Sequence, residues 1–166
     1  MINLTRILVP SDFSECSDAA VRYGLELARK FGARLHLLHV IQDPATQPWA
    51  AEGFAVPVLE AVDQWQKDAK VRLEHAIPPG DRVNAVVTCA IASPCAEILR
   101  YAAANGIDLI VMGTHGRGGV SHMLLGSIAE KIVRRAPCPV LTVRQPEHEF
   151  VDLGASVAGA VPASAR

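Results

Sequence analysis

Residues 109–127 read LIVMGTHGRGGVSHMLLGS, a short apolar run that leads into a glycine-rich segment. Five glycines lie between Gly113 and Gly126, well above the average usage of about 7%. The apolar run is typical of a buried strand. Gly126-Ser127 precedes apolar residues at helical spacing, which is typical of a helix start. The segment therefore predicts a strand, a glycine-rich loop and a helix, in that order.

The same alternation of strand and helix runs through the rest of the chain. Helix signals include an N-cap at Ser14, a terminating glycine at Gly32 and the Ser93-Pro94 start of a later helix. The predicted strands cover residues 6–10, 35–41, 83–90, 109–112 and 140–143. Apolar strands separated by amphipathic helices indicate a parallel sheet covered on both faces. We predict an α/β fold with one doubly wound five-stranded parallel sheet in the order 3-2-1-4-5.

Composition limits the classes of function. Half of the 166 residues are hydrophobic, 5% are aromatic, and the net charge is −1. This apolar content excludes a disordered chain, and the absence of a basic excess argues against nucleic-acid binding. No uncharged apolar run approaches the ~20 residues of a membrane span, and the N-terminus has no leader pattern. We expect a cytoplasmic protein that binds neither nucleic acid nor membrane.

The chain divides into one predicted domain, residues 1–144, and a tail, residues 145–166, that is either mobile or docked on a partner. Four scattered cysteines indicate reduced thiols, and no Cys/His set has zinc spacing, so no metal held by side chains is expected. Cys95, at a helix start, is a candidate redox sensor or simply a small, partly buried side chain. Trp49 and Phe54 either pin their loop to the domain or shield a ligand or a dimer contact.

A ligand site is expected where the strand order reverses. In doubly wound sheets ligands bind at the carboxyl ends of the strands beside that point, here between the first and fourth strands. The loops there are Pro10-Ser11-Asp12 and residues 112–125. Glycine permits positive φ and lets backbone N–H groups approach an anion, and the start of a helix at Ser127 favours phosphate. The pattern predicts a phosphate site; a flexible surface loop is the alternative.

Three common catalytic motifs are absent from the sequence. No lysine lies between Lys70 and Lys131, so the lysine of a Walker-type phosphate loop is missing. G-x-G-x-x-G does not follow the first strand, which argues against a dinucleotide enzyme. G-x-S-x-G, the nucleophile motif of serine hydrolases, is also missing.

The glycine spacing and its flanking strands resemble the ATP-binding branch of the universal stress protein superfamily. The family pattern G-x2-G-x9-G-[S/T] is met by Gly113, Gly116, Gly126 and Ser127. Further similar segments are residues 7–10, 12–14, 39–40, 108–113 and 136–141. The resemblance covers residues 3–144. It implies a Rossmann-like sheet of the adenine nucleotide alpha hydrolase type that binds one ATP per subunit.

The resemblance also implies which residues bind the nucleotide. They are Pro10, Ser11, Asp12, Val40, Met112, Gly113, His115, Gly116, Arg117, Gly126, Ser127, Ile128 and Ala129. Asp12 and the backbone near Pro10 and Ser11 would meet the ribose and adenine, and Val40 would hold the adenine edge through its main chain. The Ser127 hydroxyl would contact a phosphate oxygen. Arg117 and His115 would either add charge-assisted contacts or point to solvent. Mg²⁺ would be held through the phosphates.

A homodimer is implied as well, in which the fifth strand pairs across the dimer axis and covers an exposed edge. That strand consists of Val140, Leu141, Thr142 and Val143.

Three functions are compatible with these residues. The first, which the motif supports directly, is an ATP-binding regulatory module of the stress response that acts on an unidentified protein partner. The second is a slow ATPase or nucleotide-dependent transferase, for which the loops offer few groups beyond Asp12, His115 and His122. The third is a stress-linked interaction protein that needs no nucleotide, and the intact glycine pattern argues against it.

Overall fold

The structure is a computed structural model that describes residues 2–46, 55–116 and 125–144 of the chain. Trp49, Phe54, Arg117, His122 and the predicted tail lie outside the described residues. The strands are β1 (Arg6–Pro10), β2 (Arg34–Gln42), β3 (Ala85–Ala92), β4 (Leu109–Gly113) and β5 (Val140–Val143). The α-helices are α1 (Glu15–Phe31), α2 (Ala55–His75), α3 (Pro94–Ala104) and α4 (Ser127–Arg135). Two 3-10 helices cover Pro44–Thr46 and Pro79–Asn84.

The five strands form one parallel sheet in the order β3-β2-β1-β4-β5, which confirms the predicted topology. β1 lies at the centre and pairs with β2 from Arg6 opposite Arg34 to Pro10 opposite Leu38. On its other side β1 pairs with β4, with Ile7 opposite Leu109. Successive strands are therefore added on one side of β1 up to β3 and on its other side from β4, so the strand order reverses between β1 and β4.

Two hydrophobic layers cover the sheet, one on each face. Ile7 and Val9 belong to the layer formed with α1 and α2, whereas Leu8 belongs to the layer formed with α3 and α4. This odd–even split follows from the alternation of side chains along a strand. Since both faces are buried, the central strands are apolar throughout.

The helix caps follow the local signals, with one exception. The Ser14 hydroxyl accepts a hydrogen bond from the Ser17 amide at 3.3 Å at the start of α1. Gly32 ends that helix with a φ of +65°, a conformation that glycine adopts without steric cost. Ser93 occupies the N-cap of α3 as predicted, but its side chain makes no capping hydrogen bond.

Strand boundaries differ from the sequence prediction by one residue in β2 and β4 and by two residues in β3. β3 begins at Ala85 rather than Val83, because residues 79–84 form a 3-10 helix in which Val83 is 92% exposed. α2 begins at Ala55 and includes Pro57. The helix tolerates a proline in its first turn because the N–H that proline lacks would have no acceptor within the helix. In the described ranges, no helix combines the length and apolarity needed to cross a membrane.

Candidate functional site

A cavity of about 840 Å³ opens at the carboxyl ends of β1, β2 and β4, beside the start of α4. Every residue predicted to bind nucleotide lines it except Arg117, which is not among the described residues. The lining residues from that set are Pro10, Ser11, Asp12, Val40, Met112, Gly113, His115, Gly116, Gly126, Ser127, Ile128 and Ala129. The topology thus brings both predicted loops to one cavity, at the point where the strand order reverses.

The loop between β1 and α1 is held by hydrogen bonds of its own side chains. The Ser14 amide and hydroxyl donate to Asp12 Oδ1 at 3.1 and 2.6 Å. The Phe13 amide donates to the Ser11 hydroxyl at 3.1 Å, and the Ser11 amide donates to the Leu38 carbonyl oxygen of β2 at 2.9 Å. Asp and Ser side chains stabilise such turns by replacing regular backbone pairing. The Asp12 carboxylate is therefore fixed at the cavity wall.

Phe13 lies in this loop with a φ of +62°, which is rare for a bulky residue. Its ring contacts the His39 ring at a centroid distance of 4.4 Å, and the Arg72 guanidinium carbon lies 3.8 Å from its centroid. His39 Nδ1 donates to the Ser11 carbonyl oxygen at 2.7 Å, which assigns the proton to that nitrogen. These contacts hold a strained backbone conformation that the sequence did not indicate.

Gly113, the last residue of β4, is required by packing. A Cβ at this position would lie 2.9 Å from both the carbonyl carbon and the Cβ of Cys16 on α1. Real Cβ atoms essentially never approach so closely. Among the described glycines, only Gly32 and Gly106 have positive φ. The glycine at 113 therefore serves close approach of two backbones and not left-handed geometry.

Gly116 and Gly126 are also positions of close approach. A Cβ at Gly116 would lie 2.5 Å from Asp12 Oδ2, and one at Gly126 would lie 3.2 Å from the Thr114 carbonyl oxygen. The Gly126 amide donates to that oxygen at 2.7 Å, and the Thr114 amide donates to the Val143 carbonyl oxygen at 2.8 Å. These bonds place the start of α4 against the end of β4 and connect both to β5.

Helix α4 begins without a side-chain cap. Its N-cap is Gly126, and the first helical hydrogen bond runs from the Glu130 amide to the Gly126 carbonyl oxygen at 2.9 Å. The amides of Ser127, Ile128 and Ala129 precede that bond, and a helix offers such groups no internal acceptor. All three residues line the cavity. Their N–H groups and the positive end of the helix dipole suit an anion.

Another part of the cavity wall is apolar. It includes Val40 and Ile41 of β2, Met112 of β4 and Ile98 of α3. Small-molecule sites are typically lined by apolar side chains with a few convergent polar groups. The combination of this wall with the start of α4 suits a ligand that has a flat, weakly polar body and a phosphate group.

The contribution of α2 to the cavity was missed by the sequence analysis. Trp65, Asp68, Ala69 and Arg72 all line the cavity, and their spacing of three and four residues places them on one helix face. The spacing itself is visible in the sequence. The direction in which that face points is not, because it depends on how α2 packs on the sheet.

The thiols and carboxylates do not form a metal centre in the described residues, where no group of three or more His, Cys, Asp or Glu is placed to hold an ion. Cys95 and Cys138 pack, partly buried, against the layer formed by α3 and α4. Burial raises the pKa of the Cys138 thiol, which disfavours the reactive thiolate.

The sequence and the fold both match known proteins of one family. The model of the universal stress protein family matches residues 3–144. Universal stress protein MJ0531 of Methanocaldococcus jannaschii is 30% identical over 145 residues, which cover 87% of this chain and 84% of that protein.

Two solved structures of universal stress proteins share the fold. UspA from Lactobacillus plantarum superposes with a TM-score of 0.71 at 29% identity, covering 87% of this chain and 100% of that one. A universal stress protein crystallised in complex with cAMP superposes with a TM-score of 0.56 at 22% identity, covering 86% and 99% of the two chains. At 22% identity, this second comparison shows a shared fold.

Proposed function

The chain belongs to the universal stress protein family, and we propose that it is a regulatory module of the stress response that binds ATP in the cavity between β1 and β4. The observation that carries the proposal is the uncapped start of α4, whose first amides lie at the wall of that cavity. The cAMP complex of the more distant structural relative supports the adenine nucleotide class.

The cavity offers a separate environment for each part of the nucleotide. The amides of residues 127–129 and the Ser127 hydroxyl would receive phosphate oxygens, with the Gly116 backbone beside Asp12 along the phosphate path. Val40 and Met112 would contact the adenine, and Asp12 would meet the ribose. Mg²⁺ would be held through the phosphates, since this ion commonly keeps waters and few protein ligands.

The polar side chains around the cavity favour binding over catalysis. Asp12 accepts two hydrogen bonds from Ser14, both on Oδ1, so this oxygen is engaged in holding the loop. His115 Nδ1 lies 3.1 Å from the Thr114 hydroxyl. Phosphoryl transfer needs groups that neutralise developing charge and orient a nucleophile, and slow hydrolysis is the most that these two side chains would support.

We propose further that two copies assemble through β5, as the resemblance implies. β5 is an edge strand. The carbonyl oxygens of Pro139 and Val143 accept hydrogen bonds from the Ile110 and Thr114 amides, so the backbone N–H and C=O groups of its odd-numbered residues point toward β4. The Thr142 amide then points away from the sheet.

Thr142→Pro removes that donor and should convert a dimer to a monomer in multi-angle light scattering, whereas Thr142→Val should remain dimeric. A dimer that survives the proline variant would contradict pairing through this edge.

The test of nucleotide binding is a thermal melt of the nucleotide-stripped protein with increasing Mg-ATP, with AMP and GTP as controls. A ligand of the folded state stabilises it by about 2.7 kcal/mol at a hundred times its dissociation constant. We expect the melting temperature to rise with ATP concentration. The absence of a shift with any nucleotide would favour a nucleotide-independent interaction protein.

Ser127→Asp locates the site within the same experiment. An acidic residue in the first helical turn is compatible with the helix dipole, so the folded state should be retained. Its charge should repel the phosphates and weaken ATP binding at least tenfold, which corresponds to about 1.4 kcal/mol. Ser93→Asp, at the start of α3 and outside the cavity lining, is the matched control. Equal ATP affinity in the two variants would refute the phosphate position.

A further inference from the structure

A second cavity, of about 350 Å³, lies where β1 and β2 begin. This is the amino edge of the sheet, opposite the carboxyl ends of the strands where the nucleotide cavity lies. Three basic side chains line it, those of Arg6, Arg34 and His36. The remaining wall is formed by residues 104–106, which follow from the end of α3. Nothing in the proposed nucleotide site uses these residues.

The sheet places the three basic side chains on one face. Arg6 of β1 is the register partner of Arg34 of β2, and neighbouring residues in register point to the same side of a parallel sheet. His36 is two residues beyond Arg34 on the same strand, so it shares that face. The cluster is therefore a product of strand pairing.

The positive charge of this cluster is only partly compensated. Arg6 Nη1 donates to the Asn105 carbonyl oxygen at 3.2 Å. Among the described residues the Arg34 guanidinium has neither an ion pair nor a hydrogen bond. The nearby Asp108 carboxylate accepts bonds from the Thr5 amide and hydroxyl and from the Arg6 amide, all on Oδ2.

His36 forms the inner part of the wall and is only 6% exposed. Its Nδ1 lies 3.0 Å from the Tyr101 hydroxyl, and its Nε2 has no hydrogen-bond partner in the part of the chain that the structure describes. Burial, followed by the charges of Arg34 and Arg6, lowers the pKa of the imidazole. A buried polar nitrogen without a partner is uncommon, and a water or a ligand in the cavity would satisfy it.

We propose that this cavity binds a small oxyanion of the phosphate class, held by the guanidinium groups of Arg6 and Arg34 with His36 behind them. Guanidinium groups recognise phosphate through paired, charge-assisted N–H···O bonds. Both arginines line the same cavity from adjacent strands of the sheet. This cavity lies at the amino ends of the strands and the nucleotide cavity at their carboxyl ends, and the two share no lining residue.

The test is a titration of the full-length protein with inorganic phosphate and, separately, pyrophosphate, at an ionic strength kept constant with sodium chloride. Binding is followed by the ¹H–¹⁵N shifts of the Asn105 and Gly106 amides and of the His36 imidazole. We expect saturable shifts at these groups. Shifts that are linear, or that chloride alone reproduces, would overturn the proposal, as would shifts confined to residues 127–129 in the nucleotide cavity.

Substitution of Arg34 provides the side-chain control. Arg34→Gln should weaken phosphate binding at least tenfold. The affinity of Arg34→Lys should lie between that of Arg34→Gln and that of the unmodified protein, because lysine keeps the positive charge but lacks the paired N–H donors of the guanidinium group. Lys70→Gln removes the same charge from an exposed position on α2 and should bind normally. Arg34 is exposed, so folding should be retained, which a melt verifies. Unchanged affinity in Arg34→Gln would refute the site without affecting the ATP proposal.

Discussion

The two edges of the sheet present positive charge in different ways. At the carboxyl edge the proposed phosphate donors are backbone amides at the start of α4, and Arg72, which also lines that cavity, lies over the Phe13 ring. At the amino edge the proposed donors are the side chains of Arg6 and Arg34. The difference follows from chain direction, because helices in such folds begin near the carboxyl ends of strands and end near their amino ends. The helix dipole is thus positive at one edge and negative at the other. An anion site at the amino edge therefore needs side-chain cations, and Arg6 already donates to the carbonyl oxygen of Asn105, just after α3.

The largest effect is expected for a side chain added at the carboxyl edge. Gly113→Ala would place a Cβ 2.9 Å from two atoms of Cys16, and overpacking of this kind typically costs about 1–3 kcal/mol. We expect the free energy of unfolding in urea to fall by about 2 kcal/mol. Gly80→Ala is the control, because nothing lies within 4 Å of its added Cβ. Equal stability of the two variants would mean that α1 and β4 are not in close contact.

At the amino edge we expect a somewhat smaller effect from Asp108→Asn. Asp108 Oδ2 accepts from the Thr5 amide and hydroxyl, each at 2.7 Å, and from the Arg6 amide at 2.9 Å. Bonds to a charged acceptor contribute about 1.5–3 kcal/mol when buried. Since this site is partly exposed, we expect a loss of about 1 kcal/mol in urea denaturation. Asp63→Asn, at an exposed position on α2, should change little.

The same carboxylate predicts a pH dependence of stability. Hydrogen bonds from Thr5, first from its side chain and then from its amide, lower the pKa of Asp108. A lowered pKa means that the stabilisation is fully present above the pKa of an unfolded aspartate, about 3.9. It is lost as the pH falls through the lower pKa of the folded state. Urea denaturation of the unmodified protein and Asp108→Asn should therefore converge at low pH; a constant difference would contradict this.

The last comparison is between two serines at helix starts, and it includes the smallest expected effect, that of Ser93→Ala. The Ser14 hydroxyl caps α1 and donates to Asp12, whereas the Ser93 side chain makes no capping bond at α3. Ser14→Ala should lower the free energy of unfolding by about 1 kcal/mol, the usual value for a lost cap. Ser93→Ala should lower it by less than about 0.5 kcal/mol. The pair also tests whether the cap of α1 orients Asp12, because Ser14→Ala alone should weaken nucleotide binding.

Most of the fold could be predicted because its signals are local. Apolar runs, the serine before α1 and the glycine at its end act over a few residues, and they identified all five strands. The strand order followed instead from the doubly wound topology that alternating strands and helices adopt. The start of β3 was misplaced because Val83, although apolar, lies 92% exposed in a 3-10 helix. An apolar side chain favours a buried position, but a single apolar residue in a turn can still be exposed.

The sequence by itself determined the doubly wound sheet and the two loops that line the main cavity, since the periodicity of apolar residues and the spacing of glycines depend only on neighbours along the chain. Only the tertiary structure decided what those residues contact. It placed Gly113 against α1, directed the face of α2 that carries Arg72 toward Phe13, and brought Arg6 beside Arg34. Each of these contacts joins residues distant in sequence. Their geometry depends on how helices pack on the sheet and how strands pair, which no local pattern specifies.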